Sequence, residues 1–188
     1  MADSTTGADV VDELTNDHRE ATALLDELLA AGNPEMRRDM ADTVITELVR
    51  HSVAEEMYVY PAMRKHLPDG EQAVAHDIEE HKDLERTMKE LEGCDADDPR
   101  FMPLVSELRA KLHHHATDEE NEQFPQLRAR LPQHELVKMR EQVETAKKIA
   151  PTRPHPNAPN SELFHKMVGP GVGLMDRVRN KLTGRPTP

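Results

Sequence analysis

A stretch of eleven residues that occurs twice constrains the fold of this chain more than any other feature. The first copy spans residues 51–61 and the second spans residues 115–125. Aligned without a gap, the copies share a histidine, two adjacent glutamates, an aromatic residue and a final proline. A histidine at a similar distance precedes each copy, His18 in the first half of the chain and His81 in the second. The chain therefore contains an internal duplication.

The spacing inside each copy predicts that the repeated element is helical. Residues four apart lie on the same face of an α-helix, so His51 presents its imidazole beside the carboxylate of Glu55, and His115 does the same with Glu119. Each copy therefore predicts a chelating pair on one helix face. We expect Pro61 to kink or fray the helix that carries the first pair, because proline lacks a backbone donor.

Apolar residues recur at helical spacing around these motifs, and turn residues mark the ends of each segment. A helix is predicted from about Asp9 to Ala31, and three more are predicted to start at Asn33-Pro34, Asp69-Gly70 and Asp98-Pro99. Two of these starts pair an N-cap with a first-turn proline. A shorter helix is expected over about residues 133–150. The predicted fold class is all-α, an up-down-up-down four-helix bundle with an additional short helix and a proline-linked C-terminal tail.

Six inward-facing polar residues predict a metal site at one level of this bundle. A glutamate in a core stripe costs free energy unless its charge is compensated, so ordinary core packing is the weaker interpretation. Four imidazoles and two carboxylates suit a pair of first-row metal ions bridged by the carboxylates, with iron favoured over manganese. Calcium and magnesium sites use more oxygen, and structural zinc sites more often use cysteine. The predicted ligands are His18, His51, Glu55, His81, His115 and Glu119.

These residues resemble the hemerythrin-like, or HHE cation-binding, proteins. The resemblance covers about residues 9–135 and rests on the order of the six predicted ligands together with the aromatic-Pro that follows each pair of glutamates. It implies a four-helix bundle that holds two iron ions with a bridging oxo or hydroxo group.

One position departs from the oxygen-carrying hemerythrins, which have a fifth histidine one helical turn before the third-helix ligand. This chain has Asp77 there and looks more like the bacterial four-His branch of the family. A site with one fewer nitrogen either stays open to water, peroxide or oxygen, or recruits a substitute. Tyr58 is predicted to share the face of Glu55, as a ligand, a proton relay or a hydrogen-bonded tyrosine. Asp77 is the second candidate, and Glu122 is a more distant third.

Two classes of function follow from this site. The first is redox chemistry with hydrogen peroxide or dioxygen, most concretely catalase-like peroxide dismutation in oxidative-stress defence. The alternative is a non-enzymatic module that binds or senses oxygen, nitric oxide or iron. Ferritin-type iron storage is disfavoured, because the bundle helices lack the Glu-x-x-His spacing of such sites.

The net charge of −12 argues against a general nucleic-acid binder. No apolar run approaches a membrane span and no signal peptide is recognisable, so a cytoplasmic location is expected. We expect two parts, a di-iron bundle over residues 1–150 and a proline-rich linker with a short amphipathic helical tail over residues 151–188. Basic residues outnumber acidic ones in this tail. It is expected to pack on the acidic bundle, with contact to a membrane or to a protein partner as the alternative.

Overall fold

The computed structural model describes residues 7–156 together with Asp176, Asn180 and Lys181. Every regular element in this part of the chain is helical, as the predicted fold class requires. The α-helical segments are α1 (Val10–Ala30), α2 (Pro34–Ala54), α3 (Tyr60–His66), α4 (Gly70–Glu92), α5 (Phe101–Asp118), α6 (Phe124–Arg130) and α7 (Gln133–Ile149). A π-helical turn joins α2 to α3 and a second joins α5 to α6, so these segments form five continuous helices.

The predicted helix starts are confirmed for α1 and α2 and are wrong for α5. Asp9 caps α1 by accepting the Val11 N–H at 2.9 Å, and Asn33 caps α2 immediately before its first-turn proline. The fourth long helix begins at Phe101 rather than at Asp98-Pro99. The Asp98 carboxylate instead accepts the Arg100 N–H at 2.8 Å, which turns the chain before the helix starts.

The two π-helical turns, Glu55–Val59 and Glu119–Gln123, lie within the duplicated stretch. In each turn a backbone N–H donates to the carbonyl five residues earlier, from Tyr60 to Glu55 and from Phe124 to Glu119. The expected kink or fraying at Pro61 does not end the helix, which continues to His66. The proline falls in the first turn after the π segment, where its missing donor is tolerated.

The four long helices close a ring, in which α1 packs on α2 and α5, and α4 packs on the same two helices. The helix α7 lies outside this ring against α1 and α2. Two apolar clusters fill the interior. One contains Leu14, Met63 and Phe124, and the other contains Leu25, Leu48 and Leu108. The polar residues of the duplicated motifs lie between these clusters, so apolar packing closes the site from both ends.

The start of the proline-rich segment packs on the bundle. Residues 151–154 are buried and lie outside any helix. The Thr46 hydroxyl of α2 donates to the Thr152 carbonyl at 3.3 Å, and the Arg153 guanidinium donates to Glu92 of α4 at 2.8 Å. The short helices predicted between residues 161 and 182 lie almost entirely outside the described residues. Within the described part of the chain, no helix is both long and apolar enough to cross a membrane.

Candidate metal centre

Four buried imidazoles meet in two pairs between the apolar clusters. The Nε2 atoms of His18 and His51 lie 3.1 Å apart, and those of His81 and His115 lie 3.2 Å apart. None of the four side chains is more than 3% exposed. The structure therefore brings together the four predicted histidines, although each comes from a different helix.

The two predicted glutamates bridge the halves of the duplication. Glu55 Oε2 lies 3.1 Å from His51 Nε2 on its own helix and 3.4 Å from His81 Nε2 in the second half. Glu119 Oε2 lies 3.6 Å from His115 Nε2 and 3.5 Å from His18 Nε2. Each carboxylate thus contacts one histidine of each half.

Buried carboxylate oxygens at the centre indicate whether these residues could hold a cation. Both carboxylate oxygens of Glu55 and the Oε2 of Glu119 are buried, and none receives a well-aligned hydrogen bond, although imidazole nitrogens lie 3.1–3.6 Å from the two Oε2 atoms. Leaving buried carboxylate oxygens without donors is costly unless a cation compensates them. Imidazole nitrogen combined with carboxylate oxygen suits first-row transition metals. The residues present therefore fit a metal site.

A second layer of carboxylates fixes the orientation of the imidazoles. In the first half, His51 Nδ1 donates to Asp17 at 3.1 Å and His18 Nδ1 donates to Glu120 at 2.9 Å. With Nδ1–H engaged, Nε2 is the nitrogen left to carry a lone pair toward the centre.

The second half repeats this arrangement. His115 Nδ1 donates to Glu80 at 3.0 Å, and His81 Nδ1 donates to Glu56 at 2.9 Å. Sequence reasoning missed these four carboxylates as functional residues, although a signal was present. An acid precedes each single histidine directly, and the second glutamate of each repeated pair supplies the other two.

Charge and burial act in opposite directions on one histidine of each pair. Burial opposes protonation of His51, but the carboxylates of Glu55 and Asp17 together outweigh it and raise the pKa of His51 to about 9. Burial also opposes protonation of His81, but Glu55 and Glu56 raise its pKa to about 10. Both pKa values lie above neutrality, so these two imidazoles are cationic at neutral pH.

The other histidine of each pair, His115 or His18, has a lowered pKa instead. Burial lowers the pKa of His115 to about 4 and also lowers the pKa of His18. Each histidine pair therefore combines one imidazole of raised pKa with one of lowered pKa. The Nε2 atoms of each pair, 3.1 Å and 3.2 Å apart, are the atoms toward which a metal ion would be directed.

The phenol nearest the centre belongs to Tyr60. Its hydroxyl lies 3.0 Å from His81 Nε2 and 3.5 Å from Glu119 Oε1. Burial and the nearby Glu119 carboxylate raise its pKa well above the ordinary value. Tyr58, the predicted candidate, is half-buried and packs against an apolar cluster. The prediction for Tyr58 assumed 3.6 residues per turn, and the π-helical turn instead places the residue five after Glu55 at the centre.

The structure buries Asp77 fully, and its Oδ1 accepts the Gln123 amide at 2.9 Å. Its Oδ2 is buried without a donor, and burial raises the pKa of this carboxyl to about 6. One carboxylate oxygen of Asp77 also lies within 4.8 Å of a ligand atom of Glu80 and of His115, so Asp77 remains a candidate additional ligand. The more distant candidate, Glu122, is exposed.

A cavity gives small molecules a route toward the first histidine pair. It has a volume of about 270 Å³ and lies between α1 and α2. Leu24, Val44 and Leu48 supply apolar walls, and His18 and His51 also line it. A space of this size between mainly apolar walls suits a small neutral molecule.

The comparison with known families matches this geometry. The profile of the hemerythrin HHE cation-binding domain matches residues 9–127, a span that includes the six inner residues and the four outer carboxylates. No solved structure matches the chain significantly.

Two curated proteins illustrate the range of relatives. An uncharacterised hemerythrin-like protein of Schizosaccharomyces pombe is 29% identical over 174 residues, which cover 92% of this chain and 86% of the relative. A protein of Nostoc sp. named DNA nickase is 23% identical over 138 residues. That match covers 73% of this chain and 39% of the nickase, so most of the nickase has no counterpart in it.

Proposed function

Because the chain belongs to the hemerythrin HHE cation-binding family, we propose that its buried donor set holds two iron ions joined by an oxo or hydroxo bridge. We propose further that the loaded protein dismutates hydrogen peroxide in the manner of a catalase. The observation that carries this proposal is the convergence of four buried imidazoles on buried carboxylate oxygens that receive no well-aligned hydrogen bond. Iron is favoured over manganese because the set is rich in imidazole.

The inner residues would divide between two ions. His18 and His51 would hold one ion, and His81 and His115 would hold the other. The bridging carboxylates and the second-layer carboxylates keep these donors in place. A site with four histidines leaves room for a small exogenous ligand beside them. Bound iron would supply Lewis acidity and a store for two electrons.

Dismutation also requires protons to move. One peroxide molecule loses two electrons and two protons to become dioxygen, and a second gains both to become two waters. The Tyr60 hydroxyl lies beside His81 and Glu119, so we assign it the role of holding a proton at the centre and passing it on. Asp77 is a second buried carboxyl with a free oxygen for the same task.

The walls of the site support a small, neutral substrate. Apolar clusters close both ends of the bundle, and the cavity beside His18 has mainly apolar walls. Hydrogen peroxide, dioxygen and nitric oxide fit this route, whereas an extended or highly charged substrate does not.

The test is oxygen evolution after addition of hydrogen peroxide to protein whose iron content has been assayed. Activity is expected in protein with two irons per chain and is expected to disappear in His51→Ala, which removes an inner donor. The exposed His134 offers a matched control, since His134→Ala should leave both iron content and activity unchanged. A fully loaded protein that evolves no oxygen would overturn the peroxide proposal.

One observation favours the alternative of a binding or sensing module. The segment after α7 docks on the bundle, where Thr152 accepts from Thr46 five residues before the ligand His51. A change at the metal site could therefore reach this segment through α2. If deletion of residues 151–188 leaves iron chemistry intact but abolishes binding of a protein partner, sensing is the better assignment.

A further inference from the structure

A second group of metal-ligating side chains lies on the outer face of α4 and α5. His76 and Glu80 lie one helical turn apart on α4, and His114 and Asp118 lie one turn apart on α5. One ligand atom from each residue falls within 4.8 Å of those from the other three. We propose that these four residues bind a divalent transition-metal ion at the surface of the bundle, separate from the buried centre.

The contacts of Glu80 are close to those of a tetrahedral site. Zinc bonds to nitrogen and oxygen of about 2.0–2.1 Å place neighbouring ligand atoms about 3.3 Å apart. The Oε1 atom of Glu80 lies 3.5 Å from the Nε2 of His76 and 3.5 Å from the Nε2 of His114. The Oδ2 atom of Asp118 lies 3.9 Å from His76 Nε2, and its Oδ1 atom lies 3.9 Å from His114 Nδ1. The four ligand atoms lie within 4.8 Å of one another, so metal binding requires rotation of the exposed side chains toward a common point.

The donor types select the class of ion. Two imidazoles with two carboxylates suit zinc and its first-row neighbours, whereas magnesium and calcium prefer oxygen alone. Two ionised carboxylates also carry the charge that a divalent ion neutralises. The imidazoles are open to solvent, with 56% of the His76 side chain and 65% of the His114 side chain exposed. An ion can therefore reach the site without any opening of the bundle.

The first half of the duplication already holds a cation in the corresponding place. Glu13 and Asp17 lie five and one residues before His18, as His76 and Glu80 do before His81. The Lys147 ammonium binds between that first pair, 2.9 Å from Glu13 and 2.6 Å from Asp17. In the second half, the imidazole of His76 lies where the carboxylate of Glu13 lies in the first half, and α5 adds His114 and Asp118 as two further possible ligands. A metal ion there would take the position that the ammonium takes in the first half.

Glu80 connects the proposed site to the buried centre. Its Oε1 faces the two exposed imidazoles, and its Oε2 accepts from His115 Nδ1 at 3.0 Å. His76 and His114 contact none of the inner histidines through the described hydrogen bonds, so they can be removed without touching an inner ligand. This separation makes the proposal testable in iron-loaded protein.

The test is a calorimetric titration of the iron-loaded, tag-free full chain with zinc. We expect a single zinc equivalent to bind to the wild-type chain and this binding to be lost in the double variant His76→Ala/His114→Ala. Iron content should be the same in both proteins, because neither substituted residue is an inner ligand. His113→Ala is the matched control, since His113 is exposed in the same histidine tract but lies outside the cluster.

Two outcomes would overturn the proposal. Equal zinc binding by the double variant and the wild type would mean that zinc binds elsewhere as an adventitious ion. Loss of zinc binding in His113→Ala to the same extent would mean that the tract binds zinc without the helical cluster. A melting temperature measured for each variant separates loss of the site from loss of the fold.

Discussion

The two halves of the duplication each direct two histidines and one glutamate toward the buried centre but support them differently from outside. In the first half, Asp17 holds His51 and is itself bound by Lys147 of α7. In the second half, Glu80 holds His115 and faces two exposed imidazoles instead of an ammonium. The first support is a fixed internal cation, whereas the second is open to solvent and to ions.

The halves also differ in the aromatic residue that follows each π-helical turn. Tyr60 brings a hydroxyl to His81, whereas Phe124 stacks on His18 with the ring centroids 6.1 Å apart and offers no polar atom. The duplicated backbone thus places the two rings equivalently, but only the ring of Tyr60 carries a hydroxyl that can donate a proton. Shared geometry with unequal chemistry would allow the two metal positions to act differently on one substrate.

The largest effect is expected from substitutions that test how far the halves depend on each other. Glu55→Ala and Glu119→Ala should each abolish binding of both metal ions, because each carboxylate contacts a histidine of either half. Iron per chain, measured by elemental analysis, is expected to fall to background in both variants. Retention of one tightly bound iron in either variant would mean that the halves bind metal independently.

The next effect concerns the unequal aromatic residues. Tyr60→Phe removes the hydroxyl beside His81 and should lower peroxide dismutation about 100-fold, the scale of a lost proton-transfer group. Iron content should be close to that of the wild type if the phenol only transfers protons, and lower if it is also a ligand. Tyr58→Phe is the matched control and should keep full activity. Equal losses in the two variants would remove the distinction drawn between Tyr60 and Tyr58.

The outer supports predict a smaller effect on metal affinity. Asp17→Asn and Glu80→Gln each weaken the acceptor behind one histidine, so each should lower iron affinity about 10- to 100-fold. Lys147→Met should reproduce part of the Asp17→Asn effect, since it removes the cation that holds Asp17. Competition with an iron chelator measures these affinities. An unchanged affinity in Asp17→Asn would refute the role assigned to the second layer.

The smallest effect compares two arginines at equivalent positions of the repeat. Arg128 binds the buried N-cap Asp9 at 2.7 Å, whereas Arg64 faces the exposed Glu71 at 3.4 Å. Arg128→Ala should lower the free energy of unfolding by about 1–2 kcal/mol, and Arg64→Ala should change it by less than about 0.5 kcal/mol. Chemical denaturation of the two variants measures the difference, and equal values would contradict the assigned contacts.

The sequence predicts the bundle and the six inner residues because both depend on repeated spacing. His51 and Glu55 lie four apart on a regular helix, and the same spacing recurs at His115, so the duplication marks the inner positions without any knowledge of tertiary contacts. The structure buries all six of these residues and places them in two overlapping groups that share His115, one with His18, His51 and Glu119 and the other with Glu55 and His81.

The remaining features depend on information that local periodicity does not carry. The π-helical turn shifts the face of the helix after Glu55, so an α-helical projection points to Tyr58, whereas the structure places the hydroxyl of Tyr60 beside His81. The support of His51 by Asp17, and of Asp17 by Lys147, joins residues that are far apart in sequence. Only the packing of α7 on α1 reveals the second of these contacts.

The long reach of these contacts has a consequence for biosynthesis. His18 obtains its partner Glu120 across 102 positions, and Asp17 obtains Lys147 across 130 positions. At the usual speed of translation, roughly ten seconds separate the synthesis of the first residue from that of its partner. A growing chain therefore displays its first histidines well before the groups that orient them exist. For the proposed di-iron site, iron insertion would have to await the synthesis of these partners, and metal captured earlier would meet an unfinished set of donors.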